Sequence, residues 1–171
     1  MSLADAIKAA EIVRDAGGRI VGRTRLQKVG YLLTVTGLES GLSFFYKHYG
    51  PFSEGLAAAA RDAELLGFLQ ETEQQASWGG TYSTYVVSGS PDPSVPAARL
   101  KLASEAAAAD AIELELAATA VFLAKEGYKN PWIETARRKP EKAENGRIDK
   151  ARLLYRRLSA IDTPHRLPDM G

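Results

Sequence analysis

Three prolines within nine residues, Ser88-Gly-Ser-Pro-Asp-Pro-Ser-Val-Pro96, constrain this chain more than any other feature. Proline lacks a backbone donor and holds φ near about −65°, so neither a regular helix nor a central strand runs through them. The segment divides the 171 residues into two differently built parts. Residues 1–89 read as a winged-helix domain and 90–96 as a linker. Residues 97–161 read as a helical region packed on that domain, and 162–171 as a tail. The expected fold class is mainly α: a winged helix-turn-helix with one β-hairpin wing, plus a helical C-terminal half.

In the first part, Leu3, Ile7, Ala10 and Val13 recur at helical spacing, with Ser2 and Asp5 as a capping box and Gly17-Gly18 as the stop. Arg19-Ile-Val21 is short and β-branched. Thr24 and Gln27 form a second predicted capping box, followed by Leu26, Val29 and Leu33 and ended by Gly37. Ser53 is the expected N-cap of a third helix that stops at Gly67. Residues 68–75 and 81–88 read as strands joined by Ala76-Ser-Trp-Gly-Gly80. The link from Glu39 to Phe52 is far longer than the three or four residues of a tight helix-turn-helix turn. Five of the nine residues from Phe44 to Phe52 are aromatic. Such rings are expected to pack beneath the third helix, between it and the second, where Gly30 and the alanines at 57–60 leave room.

The second part is read as helical throughout. Residues 97–109 are alanine-rich, and the run from Ile112 to Lys125 has no clean polar face, as expected of a central buried helix. Asn130-Pro131 is a predicted helix start. A last helix from Arg147 to about Ile161 puts Ile148, Ala151, Leu154, Tyr155 and Leu158 on one face. Charge is unevenly placed: residues 105–126 carry one base and five acids, and residues 137–157 carry nine bases and three acids.

Composition limits the function classes. With 22 Lys+Arg against 21 Asp+Glu, bulk charge does not hold the chain to DNA or membrane. The absence of cysteine removes disulfides, thiolate zinc sites and cysteine nucleophiles, and fits a cytoplasmic protein. No apolar run approaches the roughly 20 residues of a membrane span, and no leader is read at the start. There is no phosphate-cradling glycine loop, nucleophile elbow or His-Glu-x-x-His pair, and His48 and His165 are the only histidines. We expect no enzyme, no catalytic residues, no cofactor and no metal.

Leu26-Gln-Lys-Val-Gly-Tyr-Leu-Leu33, then Phe45-Tyr-Lys-His-Tyr-Gly-Pro-Phe-Ser53 and an Ala/Leu helix ending Glu64-Leu-Leu-Gly-Phe68, resemble the YwgA-like family of uncharacterised prokaryotic proteins. Leu116-Ala-Ala-Thr-Ala-Val-Phe-Leu-Ala-Lys-Glu-Gly127 and Trp132 extend that resemblance to roughly residues 5–160. More distantly, residues 24–68 resemble the phage-associated GepA or Panacea (SocA-like) antitoxin domain. The resemblance implies a prokaryotic or phage protein without established catalysis. For the antitoxin relatives it implies a surface that neutralises a partner protein.

The expected function is a non-catalytic interaction or regulatory protein of winged-helix type that binds a partner protein, antitoxin-like or phage-associated. Homodimerisation is left open. Candidate partner-binding residues are Lys28, Tyr31, Tyr46, Lys47, His48, Tyr49 and Trp78. The predicted third helix carries one arginine, Arg61, among three acids, and no Lys or Arg lies between Phe68 and Pro96, which suits groove readout poorly. The alternative is a DNA-binding transcriptional regulator using a C-terminal basic face. Its candidate residues are Arg137, Arg138, Lys150, Arg152, Arg156 and Arg157.

Overall fold

A computed structural model describes residues 2–171. The chain opens with α1 (Leu3–Asp15), where the Ser2 hydroxyl accepts the Asp5 amide at 3.3 Å. It continues through β1 (Arg19–Val21) and α2 (Arg23–Val35) into the aromatic link. That link is a small hairpin, β2 (Phe45–Lys47) and β3 (Gly50–Phe52), not a loop. Then come α3 (Glu54–Leu65), β4 (Gln70–Gln75) and β5 (Thr81–Val86). The C-terminal part adds α4 (Ala97–Ala108), α5 (Ala111–Lys125), α6 (Pro131–Arg138) and α7 (Arg147–Ser159).

The fold is helix-rich with two small antiparallel sheets. In the larger, β5 lies between β1 and β4, with Ile20 opposite Tyr85 and Thr72 opposite Thr84. The smaller is the β2–β3 pair, with Tyr46 opposite Pro51. Helix α5 is central: every residue from Leu114 to Val121 is buried, and it packs on α2, α6, α7 and β3. Full burial of one of its leucines removes about 1.5–3 kcal/mol of apolar exposure. One apolar cluster takes in Ile12, Leu32 and Leu56 with Leu102, Leu116 and Leu154, so the parts either side of 90–96 share a core. No described helix is long and apolar enough to cross a membrane.

The structure corrects several expectations. Helix α2 starts one residue before the predicted cap, behind Gly22, which offers no side-chain bond. The Gln27 amide is drawn away to a more deeply buried partner. Strand β4 starts at Gln70 rather than Phe68, and β5 ends at Val86 rather than Ser88. Asn130 precedes α6 without a side-chain capping bond.

The aromatic rings divide: Phe44 enters the expected space beside Gly30, next to Leu56 of α3, while Tyr46 packs on α5 instead. Phe44 lies edge-on to Tyr31 of α2 at 5.3 Å between centroids, and Tyr46 sits against Phe122 of α5 at 5.9 Å. Phe45 and Tyr49 remain exposed. The space beside Gly30 is shared by Leu56, whose Cδ2 would stand 2.6 Å from an added Cβ, and Phe44, whose Cζ would stand 3.7 Å from it.

Candidate functional site

The Leu26-Gln27-Lys28 segment fastens the aromatic hairpin to the body. The Gln27 side chain donates to Ser53 O at 2.9 Å and accepts the Ser53 amide at 2.7 Å. Ser53 in turn caps α3, its hydroxyl accepting the Leu56 amide at 3.1 Å. Lys28 Nζ donates to Pro51 O at 2.9 Å. Gly50 needs its φ of +92°, and a Cβ there would strike the Thr119 hydroxyl. That hydroxyl is buried and has no hydrogen-bond partner among the described residues.

Lys28 and Tyr31, expected among the partner-binding residues, are therefore interior: they are 1% and 3% exposed. Burial is the main cause that lowers the Lys28 pKa to about 7; Glu115 opposes it, and Lys139 and Lys142 add to it. Burial, aided by Glu126, pushes the Tyr31 phenol up. Glu115 lies in the same interior, with Lys139 Nζ at 3.0 Å and Lys142 Nζ at 2.8 Å. Lys139 also donates to His48 O at 2.8 Å, tying the hairpin tip to the segment after α6.

The remaining candidates do reach the surface. Tyr46 is half-buried, with the Arg138 guanidinium 4.9 Å from its ring centroid. Lys47 is exposed, pairs with Glu54 at 3.1 Å and lies over the Phe52 ring. His48 and Tyr49 form the exposed tip, and Lys142 covers the Tyr49 ring at 4.6 Å. Trp78 is 73% exposed at the β4–β5 turn. Its indole lies over Gly80, where any Cβ would collide with the ring, while Gly79 turns the chain with φ +94°.

Sequence reasoning missed a groove of about 600 Å3 between that turn, the start of α2 and the hairpin tip. Tyr49, Trp78 and Tyr82 line it with Arg23, Arg25 and Glu73. These residues come from separate elements, and only the chain's folding brings them together. The one sequence signal was the pairing of two arginines with a glycine start to α2, at Gly22, Arg23 and Arg25.

The basic C-terminal residues do not act as one free face. Arg137 and Arg138 both bind Glu134, at 2.6 and 2.7 Å, and hold its carboxyl well below the usual range, at about 2. Arg138 also donates to the Tyr128 hydroxyl at 2.8 Å. Arg152 stacks over Trp132 at 5.7 Å and donates to Gly171 O. Lys150, Arg156 and Arg157 are exposed. Among the described residues no group of three His, Asp or Glu side chains is placed to hold a metal ion. Compared with family models, curated proteins and solved structures, the chain matches none.

Proposed function

We propose that this is a non-catalytic cytoplasmic protein of winged-helix type that binds a partner protein instead of reading DNA. Leaving aside β2 and β3, the order α1, β1, α2, α3, β4, β5, with β5 between β1 and β4, supports a winged-helix reading. On this reading α2 and α3 are the helix-turn-helix pair, with the β2–β3 hairpin inserted between them, and β4–β5 is the wing. The observation that carries the reading is the surface of α3 and the wing. It exposes Leu65 at 74%, Leu66, Phe68 and Trp78, together with Glu54, Glu64 and Glu73. Leu65, Leu66 and Phe68 adjoin one another at the end of α3, and Trp78 stands at the far end of the β4–β5 hairpin. The exposed acids of α3 and β4 outnumber the one exposed arginine, Arg61; such a surface suits a protein and repels phosphates. The YwgA-like and antitoxin resemblance points the same way.

Two measurements test the reading. Affinity capture from the native host with the full chain is expected to retain a protein at stoichiometric yield, resistant to nuclease. Selection from a random duplex library is expected to return no preferred sequence. Sequence-specific nanomolar duplex binding that is lost in Arg61→Ala overturns the proposal.

A further inference from the structure

Arg25 is the most preorganised group in the groove beside Trp78. Its Nε and Nη2 donate to Ala109 O at 3.1 and 2.9 Å, and its Nη1 donates to Val21 O at 3.0 Å. A guanidinium has five N–H groups, so two remain after these three bonds. Carbonyls fix the fork but leave its charge uncompensated, and among the described residues no carboxylate pairs with it. The neighbouring Arg23 differs, being engaged by Glu71 at 3.4 Å and Glu73 at 3.9 Å. Helix α2 begins here without a side-chain cap, so its first amides add partial positive charge at the same end.

Next to this single anchored cation are three rings from separate elements: Tyr49 of the aromatic hairpin, Trp78 of the β4–β5 turn and Tyr82 of β5. Tryptophan, tyrosine and arginine, which line this groove together, are the residue types enriched among the hot spots of protein interfaces. The geometry points to this groove as the docking site of an extended acidic segment of a partner protein. A carboxylate of that segment binds the free edge of Arg25, and an apolar neighbour stacks on Trp78. The inference rests on the partner-binding reading above and names its site and the chemistry of its ligand.

Single-stranded nucleic acid also stacks on aromatic rings, but it needs a run of cations along its backbone. Here the lining holds two guanidiniums, Arg23 and Arg25, and one carboxylate, Glu73, not a run of cations. One fixed charge fits one carboxylate.

The test selects phage-displayed random dodecapeptides on the full chain. Enriched peptides are then titrated against Trp132→Phe, in which Trp78 is the sole tryptophan. The selected peptides are expected to be net acidic, to shift Trp78 emission and to weaken with added salt. Arg25→Gln is expected to lower their affinity about tenfold or more, the scale of a lost charged hydrogen bond. Trp78→Ala, at an exposed tip, is expected to keep the fold and lose binding. Should Arg25→Gln fail to fold, the Trp78→Ala and salt results decide. No enrichment, neutral or basic peptides, or equal binding to Trp78→Ala overturns the inference. So does an oligothymidylate strand that shifts Trp78 emission at lower concentration than any selected peptide. A captured partner that Trp78→Ala still retains removes the groove while leaving the partner-binding reading intact.

Discussion

At one seam between the two parts of the chain, Arg99 of α4 meets Asp15 at 2.7 Å, Glu39 at 3.2 Å and the Leu38 carbonyl at 2.6 Å. At the other, Glu115 of α5 meets Lys139 and Lys142, with Lys28 from α2 behind them. Arg99 and Asp15 at the first, and Glu115, Lys139 and Lys28 at the second, are buried, and both clusters join the chain before residue 90 to the chain after 96. They balance charge differently. The Arg99 guanidinium is shared between two carboxylates; Arg14 and Lys8 join from outside at 3.1 and 3.9 Å, and Glu11, 3.4 Å from Arg14, brings the count to three cations and three carboxylates. Around Glu115 there is one carboxylate for three lysines. A guanidinium does not give up its proton, but an ammonium can. At the second seam the excess is relieved at Lys28, the most buried of the three. A buried cluster is neutralised by partners where they exist and by proton loss where they do not.

The largest expected effect is at Arg99. Arg99→Ala leaves Asp15 and Glu39 buried without their common partner and is expected to cost about 3–5 kcal/mol in denaturant unfolding. Arg99→Lys, which lacks the fork, should recover only part of that. A loss under about 1 kcal/mol for Arg99→Ala would mean that this seam is hydrated and the contrast is false.

Glu115→Gln comes next, at about 2–3 kcal/mol, because Lys142 can turn toward solvent whereas Lys139 cannot. The same change removes the group that opposes the fall of the Lys28 pKa, so that pKa should drop further.

The third test is pH. The Lys28 pKa is about 7 in the folded chain, below its ordinary 10.5. Between those values the unfolded chain holds a proton that the folded chain has released, so stability rises with pH. Below about 7 both states are protonated and the cost of burying the charge is present in full. Stability is expected to gain about 1 kcal/mol from this group between pH 7 and pH 8. Lys28→Met should flatten that slope. A slope unchanged by Lys28→Met would show that the second seam keeps all its protons.

Lys142→Ala is expected to be the smallest change, under about 1 kcal/mol and reduced further by salt. Its side chain is one-third exposed, and Lys139 still holds Glu115. A larger loss would make Lys142 an equal member of the cluster.

The local parts of this design were legible in the residues. Ser2 and Ser53 cap the helices predicted for them, and the faceless apolar run around Leu116 is the buried central helix. Thr24 and Gln27 misled because a capping box is a local pattern, while the Gln27 amide has a deeper partner in the Ser53 backbone. In the aromatic link the packing of Phe44 was legible from the rings, but the hairpin pairing, the contact with Phe122 and the exposure of Phe45 and Tyr49 were not. Lys28 reads in sequence like any helical lysine. Nothing within several residues of it signals that Pro51, Thr119 and Glu115 close over it. The same holds for Arg25, whose anchor, Ala109, is 84 residues away.

Sequence by itself determined the helices and the strands of the larger sheet, though not the β2–β3 hairpin, because spacing, caps and proline act over a few residues. It also determined that no cysteine chemistry operates here and that the residues of α3, β4 and β5 are poor in base. Tertiary structure decided which charges face water and which are buried. It put Lys28 and Tyr31 inside, engaged Arg137 and Arg138 with Glu134 and Arg152 with Trp132, and gathered Tyr49, Trp78, Tyr82 and Arg25 around one groove. The physical reason is that burial and pairing are properties of the packed neighbourhood. Desolvation depends on what covers a group, and here the covering residues come from elements far apart in the chain.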